Sequence, residues 1–147
     1  MHLNSLIKES IRSGTIASLV MMPLGFLFKM LDLRVGHYGP KLAALLVVEP
    51  GPIFMFVQHL VIGWVSALPL LVMLIYWRRF NAPIYLGALY GLAYYLIVNS
   101  LALPWVFGDV TPWQLGFDTM YPSALVHLVF GASIGFTAKK FAATAID

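Results

Sequence analysis

Four long apolar runs restrict what this chain can fold into more than any other feature of the sequence. They lie at about residues 14–28, 53–77, 84–107 and 121–138. At a helical rise of about 1.5 Å per residue, most of these runs are long enough to cross the roughly 30 Å hydrocarbon core of a bilayer. Because backbone polar groups inside lipid must pair within their own segment, each run is predicted to be a membrane-spanning helix.

The composition supports the same conclusion and excludes several classes of protein. Of the 147 residues, 61% are hydrophobic and 10% are charged, which is far more apolar than an average soluble domain. The absence of cysteine excludes thiolate metal sites and iron–sulfur clusters. No phosphate-binding loop, serine-nucleophile motif or zinc-protease motif is present, so the sequence does not favour an enzyme. We therefore predict an all-α, integral membrane four-helix bundle, with residues 1–147 forming a single transmembrane domain.

The positions of the basic residues predict the orientation of the chain in the membrane. Cytoplasmic loops are enriched in lysine and arginine, and the basic residues near the ends of the predicted spans fall on one side: Lys8, Arg12, Arg78, Arg79, Lys139 and Lys140. Both termini are therefore predicted to be cytoplasmic. The same distribution explains the net charge of +3 without a nucleic-acid partner, because the basic residues do not form one patch.

Two segments outside the spans are predicted to lie at or beyond the membrane surface. The polar residues 1–13 are interpreted as a cytoplasmic tail, and Pro23 is expected to bend or end the first helix. A short apolar piece at 42–48 lies between Gly39-Pro40 and Pro50-Gly51-Pro52. Seven residues cannot cross a bilayer, so this piece is predicted to be an interfacial or re-entrant turn of helix.

A short motif occurs twice and predicts an internal repeat. The sequence His59-Leu60-Val61-Ile62-Gly63 in the second span matches His127-Leu128-Val129-Phe130-Gly131 in the fourth. Both spans run in the same direction through the membrane. The chain is therefore predicted to consist of two helical hairpins related as a parallel repeat, with one histidine in each half.

The two histidines belong to a predicted layer of polar side chains within the membrane. Counting from the span ends places His59, His127 and Asn99 at similar depths, with Gln58, Ser100 and Ser123 nearby. Polar side chains in lipid usually turn inward to find partners, so a hydrogen-bonded cluster inside the bundle is the simplest interpretation. Tyr90, Tyr94 and Tyr95 could line a cavity, but tyrosines near a helix seam more often pack and bond to backbone carbonyls, which is the favoured interpretation.

Three ligand hypotheses remain open for this layer. His59 and His127 could be the axial ligands of a b-type haem, since histidines on facing helices supply that geometry. A proton or quinone site is also consistent with two imidazoles at this depth. A divalent metal would need a further ligand from His37, Glu49, Asp109 or Asp118 in the connectors.

Small residues recur at helical spacing and predict close helix packing. The predicted packing positions are Gly14, Ser18, Gly63, Gly87, Gly91, Gly131 and Gly135. Such rows on all four spans favour an accessory or interaction subunit that docks on other membrane subunits or on itself. An oligomeric small transporter or channel is a further hypothesis, because prolines and buried polar residues interrupt the spans.

Two of these motifs also carry a family resemblance. The segment Gly87-Ala88-Leu89-Tyr90-Gly91, followed by Pro104, and the two His-Leu-Val-x-Gly segments resemble the small four-span bacterial inner-membrane proteins grouped as YagU-like. The resemblance covers about residues 14–136. It implies a location in the bacterial cytoplasmic membrane and no established activity, so it assigns no catalytic residue.

Overall fold

Four helices that are long and apolar enough to cross a membrane form the framework of the protein. The computed structural model describes residues 3–77 and 81–144, and within these residues the regular structure is entirely helical. The long helices are α1 (Leu3–Met30), α3 (Pro52–Tyr76), the third span (Pro83–Phe107) and α7 (Phe117–Thr137). The chain is thus an all-helical, multi-span membrane protein.

Shorter helices occupy the connectors and the C-terminal end. They are α2 (Tyr38–Ala44), α6 (Pro112–Leu115) and α8 (Lys139–Thr144). The third span is itself divided into α4 (Pro83–Tyr94), a π-helical segment (Tyr95–Ala102) and α5 (Leu103–Phe107). Thr111 and Gln114 form a capping box at the start of α6, which fixes the entry to that short helix.

Helix α7 packs against each of the other membrane-spanning helices. Its main partners are α4 and α1, and α1 packs in turn against α3. Leu70, Leu71 and Leu74 from α3 meet Phe130 and Ile134 from α7 in the buried core. The opposite face of α3 is exposed at Val57, Val61 and Val65, which is the pattern of a lipid-facing surface. Interior and lipid-facing sides are therefore clearly separated on the helices.

The first helix is longer than the sequence predicted. It begins at Leu3 instead of Gly14 and continues through Pro23 to Met30. The residues interpreted as a polar tail are helical because their polar groups find partners: Ser10 donates to the carbonyl of Trp64, and Glu9 pairs with Arg12. Arg12 also donates to the carbonyl of Thr137, so the start of α1 and the end of α7 lie together.

The connectors also differ from the prediction. The interfacial helix covers Tyr38–Ala44 instead of 42–48, because a proline in the first turn of a helix loses no intrahelical hydrogen bond and Pro40 is accommodated there. The last long helix begins at Phe117 instead of Tyr121. Arg78 and Arg79, which were used to predict orientation, lie outside the described residues.

The π-helical segment is a local feature that was not predicted from the sequence. Its last hydrogen bond runs from the amide of Leu103 to the carbonyl of Val98, five residues back. Pro104 follows directly and is buried. A proline lacks the amide hydrogen and its ring collides with the carbonyl four residues earlier, which explains why the helix widens just before it. The widened segment contains both Asn99 and Ser100.

Glycines bring α1 close to α3 and α4 close to α7. A Cβ added at Gly14 would meet the backbone of Gly63, and one added at Gly63 would meet the Ser18 side chain. Between α4 and α7, a Cβ at Gly91 would meet the backbone of His127, and one at Gly87 would meet that of Gly131. Gly135 lies equally close to the backbone of Pro83. The predicted packing residues therefore contact one another inside the bundle.

Candidate functional site

A cavity of about 930 Å³ lies among α1, α3, the third span and α7. His59 and His127 both line it, together with Gln58, Asn99 and Ser123. The remaining lining is mostly apolar and includes Met22, Met55, Ile62, Val98 and Phe130. Its volume falls at the upper end of the range for cavities that hold drug-sized ligands. The polar layer predicted from the sequence is thus largely the polar part of one cavity wall.

His127 is fixed by hydrogen bonds to both of its ring nitrogens. Its Nδ1 lies 2.6 Å from the carbonyl oxygen of Ser123, which can only accept, so Nδ1 carries the hydrogen. The amide nitrogen of Asn99 lies 2.8 Å from Nε2 and donates to it. The imidazole is therefore the neutral Nδ1–H tautomer. Tyr94 and Tyr95 flank the ring, each with its centroid 5.8 Å away.

His59 is held differently, although it occupies the same place in the repeated motif. Its Nε2 lies 3.2 Å from the carbonyl oxygen of Ser18 on α1 and donates to it. In the neutral ring this hydrogen on Nε2 leaves Nδ1 as the acceptor. The simplest interpretation of the sequence was that His59, Asn99 and His127 form hydrogen bonds with one another. The structure shows the bond between Asn99 and His127, whereas His59 bonds to the backbone of the first helix.

Tyrosines from the third span extend the polar wall. Tyr90 donates to the carbonyl of Ser66 at 2.6 Å, which is the packing role expected for it. Ser66 in turn donates to the hydroxyl oxygen of Tyr94 at 2.9 Å. Because that oxygen accepts from Ser66, the hydroxyl hydrogen of Tyr94 is free to point elsewhere. Tyr94 and Tyr95 both line the cavity, which was the alternative to the packing role that the sequence favoured.

Several buried polar atoms of the described residues have no hydrogen-bond partner. These atoms are Ser18 Oγ, Gln58 Oε1, Tyr95 Oη and Ser100 Oγ. Ser18, Gln58 and Tyr95 line the cavity, whereas Ser100 does not. Buried polar groups in native proteins are nearly always paired, and each exception calls for a physical explanation. These three atoms are buried in the packing behind the cavity surface and are not open to the cavity.

The donor set does not fit a bis-histidine haem. An iron ligand must offer an unprotonated nitrogen that is not already engaged, and both ring nitrogens of His127 are hydrogen-bonded to protein groups. The described residues also contain no group of three or more histidine, aspartate or glutamate side chains able to hold a metal ion. A haem bound by His59 and His127 would require the Asn99 bond to break.

The two outer connectors meet above the cavity at Asp109. Lys41 Nζ lies 2.6 Å from Oδ1 and 2.5 Å from Oδ2 of this carboxylate, and His37 Nε2 lies 3.3 Å from Oδ2. Tyr38 stacks on Phe107 beside this cluster, with ring centroids 5.9 Å apart. The hydrogen bond from Lys41 lowers the pKa of Asp109, and His37 adds to the effect. The cluster therefore joins α2 to the loop after α5 at neutral pH.

This ion pair gives a pH-dependent prediction. The lowered pKa means that the stabilising effect of Asp109 is fully present above its unfolded value of about 3.9 and is lost only as the pH falls through the native pKa. Asp109→Asn is expected to separate the connectors at neutral pH. Spin labels at Leu46 and Val110, both exposed, would report a longer or broader distance.

The matched control for this experiment is Asp118→Asn. Asp118 lies in the first turn of α7 and forms no ion pair within the described residues. Its substitution is expected to leave the distance between the labels unchanged. An Asp109→Asn distance equal to that of the unmodified protein would show that the ion pair does not hold the connectors together.

The comparisons with known proteins assign no family to the chain. No protein-family model matches the sequence, and neither a curated protein nor a solved structure is significantly similar to it. The site must therefore be interpreted from its own geometry.

Proposed function

We propose that this small multi-pass membrane protein binds an amphipathic small molecule from the bilayer in the cavity between its helices. The proposal rests on one observation. His59, Asn99 and His127, which lie on three different helices, line the same largely apolar cavity. A mostly apolar pocket with a few convergent polar groups is the usual form of a small-molecule site.

The glycine contacts support the parallel-repeat architecture that forms this cavity. Gly63 packs against Gly14 and Ser18, and Gly131 packs against Gly87 and Gly91. Each histidine precedes its glycine by one helical turn. The two hairpins thus use the same contact at the same place in the motif, which supports an origin as two copies of one unit. The cavity lies where the two copies face each other.

The proposed location is the cytoplasmic membrane of a bacterium, with both termini on the cytoplasmic side. The positive-inside distribution of lysine and arginine supports the orientation. The YagU-like motifs support the bacterial membrane, and membership of that group is part of the proposal. In this orientation, the mouth of the cavity lies near Lys29 and Arg34 and faces away from the cytoplasm.

The alternative role as an accessory subunit has lost part of its motivation. The glycine rows that favoured docking on a partner are occupied by contacts between helices of this chain. Exposed apolar side chains remain on every span, as expected where a helix faces lipid. Docking on other subunits therefore stays a prediction, whereas the cavity is a specific feature that favours ligand binding.

Filling the cavity tests the proposed function. Met22 lines the cavity, whereas Val20, two residues away on the same helix, is exposed and does not line it. The purified protein is expected to retain a bound amphiphile that native mass spectrometry detects. Met22→Trp should remove that bound mass, and Val20→Trp should keep it. The proposal would be contradicted if both variants kept the bound mass, or if the unmodified protein carried no bound mass.

A further inference from the structure

The charges around the cavity indicate the chemical class of its ligand. Among the described residues that line the cavity, lysine and arginine are represented by Lys29 and Arg34, and aspartate and glutamate are absent. We infer that the ligand is an anionic amphiphile, with a carboxylate or phosphate head at the mouth of the cavity and an apolar tail inside it. This inference rests on the proposed function, since it names what the cavity binds.

Lys29 lies on the face of α1 that lines the cavity. The lining residues of this helix recur at helical spacing: Ser18, Met21, Met22, Gly25, Phe26 and Lys29. From Ser18 to Lys29 the row extends about 16 Å at the helical rise of about 1.5 Å per residue. Lys29 is therefore the charged end of a long, otherwise uncharged row, which matches a ligand with one charged end.

The two cations at the mouth have no counter-ion among the described residues. Lys41 is paired with Asp109, whereas neither Lys29 nor Arg34 belongs to an ion pair there. Both side chains are exposed. Ammonium and guanidinium groups form charge-assisted hydrogen bonds with carboxylates and phosphates. In the proposed orientation these cations lie on the side where lysine and arginine are not enriched, so the positive-inside rule does not account for them.

The deeper part of the cavity suits a hydrocarbon tail. Its lining is mostly apolar and includes Met55 and Ile62. The imidazoles there bond to the protein, since His127 is engaged at both ring nitrogens and His59 donates to the carbonyl of Ser18. A carboxylate or phosphate at that depth would be buried without a counter-ion, which is costly. The charged head therefore stays at the mouth while the tail enters the cavity.

The test compares four amphiphiles whose chains have the same length. The probes are dodecanoate, dodecyl phosphate, dodecanol and dodecyltrimethylammonium, titrated by calorimetry against the full-length protein in nanodiscs of a zwitterionic lipid, with empty nanodiscs as the blank. Both anions are expected to bind more tightly than the alcohol and the cation, and the tighter anion identifies the head group. Added salt should weaken the binding of the anions, because the cations at the mouth are exposed.

Two results of this titration would count against different claims. If the alcohol or the cationic probe bound as tightly as the anions, the inferred class would be overturned and the proposed cavity function would stand. If no probe bound, and Met22→Trp retained the same bound mass as the unmodified protein, the proposed function itself would be defeated.

Removing the two cations is the sharper test. The double variant Lys29→Gln, Arg34→Gln is expected to weaken dodecanoate binding about twofold to fivefold for each charge removed, the effect of an exposed ion pair. Dodecanol binding and the unfolding midpoint should stay unchanged, because both side chains are exposed and form no ion pair within the described residues.

The matched control is the double variant Lys139→Gln, Lys140→Gln. It removes the same net charge from exposed residues that do not line the cavity. These lysines follow Thr137, whose carbonyl bonds to Arg12 near the start of α1, so they lie at the opposite end of the bundle from Lys29. Equal weakening in the two double variants, or unchanged dodecanoate affinity without Lys29 and Arg34, would overturn the assignment.

Discussion

Replacing Gly91 with alanine is expected to lower the free energy of unfolding by about 3 kcal/mol, at the upper end of the range for overpacking a well-packed interface. The added Cβ would overlap the carbonyl oxygen of His127, a backbone atom that cannot rotate away. The two helices would have to separate. That would disturb the hydrogen bond between Asn99 and His127, which lies about two turns further along the third span. Reversible unfolding in mixed micelles measures the change.

Gly25→Ala is the matched control for this substitution. Gly25 is also a glycine inside a membrane-spanning helix, but a Cβ there would meet only the side chain of Val35 at an ordinary contact distance of 3.9 Å. Alanine favours helix formation over glycine, so this variant is expected to be as stable as the unmodified protein or slightly more stable. Equal effects at the two positions would show that close approach at Gly91 is not what holds α4 and α7 together.

His127→Leu is expected to lower the free energy of unfolding by about 2 kcal/mol, whereas His59→Leu should cost less than about 1 kcal/mol. His127 accepts from Asn99, donates to Ser123 and contacts two tyrosine rings, so its removal deprives the partly buried amide of Asn99 of its partner. His59 makes a single 3.2 Å bond to the carbonyl of Ser18.

The same two variants should rank in a different order when ligand binding is measured. His59 lines the cavity and makes one hydrogen bond within the described residues, whereas both nitrogens of His127 are engaged by protein groups. His59→Leu is therefore expected to weaken ligand binding while barely changing stability. If the two variants destabilised the protein equally, the distinct roles assigned to the two histidines would be wrong.

The membrane-spanning architecture follows from the sequence because length and hydropathy decide it. Runs of about 20 apolar residues admit few folds in lipid, and the four helices are found where the apolar runs lie. The ends of the helices were predicted less well. Ser10 and Arg12 look like surface residues in the sequence, and only their contacts with Trp64 and Thr137 make that part of α1 an element of the bundle.

The candidate site could be predicted in part from the repeated motif. The motif singled out His59 and His127, and spacing along the third span singled out Asn99. Their partners depend on the π-helical segment and on the rotation of each helix, which single-sequence periodicity does not encode. Tyr95 precedes Asn99 by four residues, so their shared helical face was a usable signal for its place in the cavity wall.

His59 and His127 were predicted to lie at equal depth by counting residues from the ends of the predicted spans. The observed helix bounds change that count. His127 lies ten residues after the start of α7 at Phe117, whereas His59 lies seven after the start of α3 at Pro52. Both rings nevertheless line one cavity. The contacts of Gly63 and Gly131 with the neighbouring helices, and not the helix ends, place the two motifs.

The central claim is that the two imidazoles line one ligand cavity, and the nitrogen NMR spectrum of the histidine side chains tests it most directly. The protein, labelled with ¹⁵N at histidine and held in nanodiscs, would be recorded with and without the amphiphile that it retains on purification. Signals are assigned by comparison with His59→Leu and His127→Leu. We expect the resonances of both His59 and His127 to shift as the amphiphile binds. A shift of only one of them, or of neither at saturating amphiphile, would contradict a shared site.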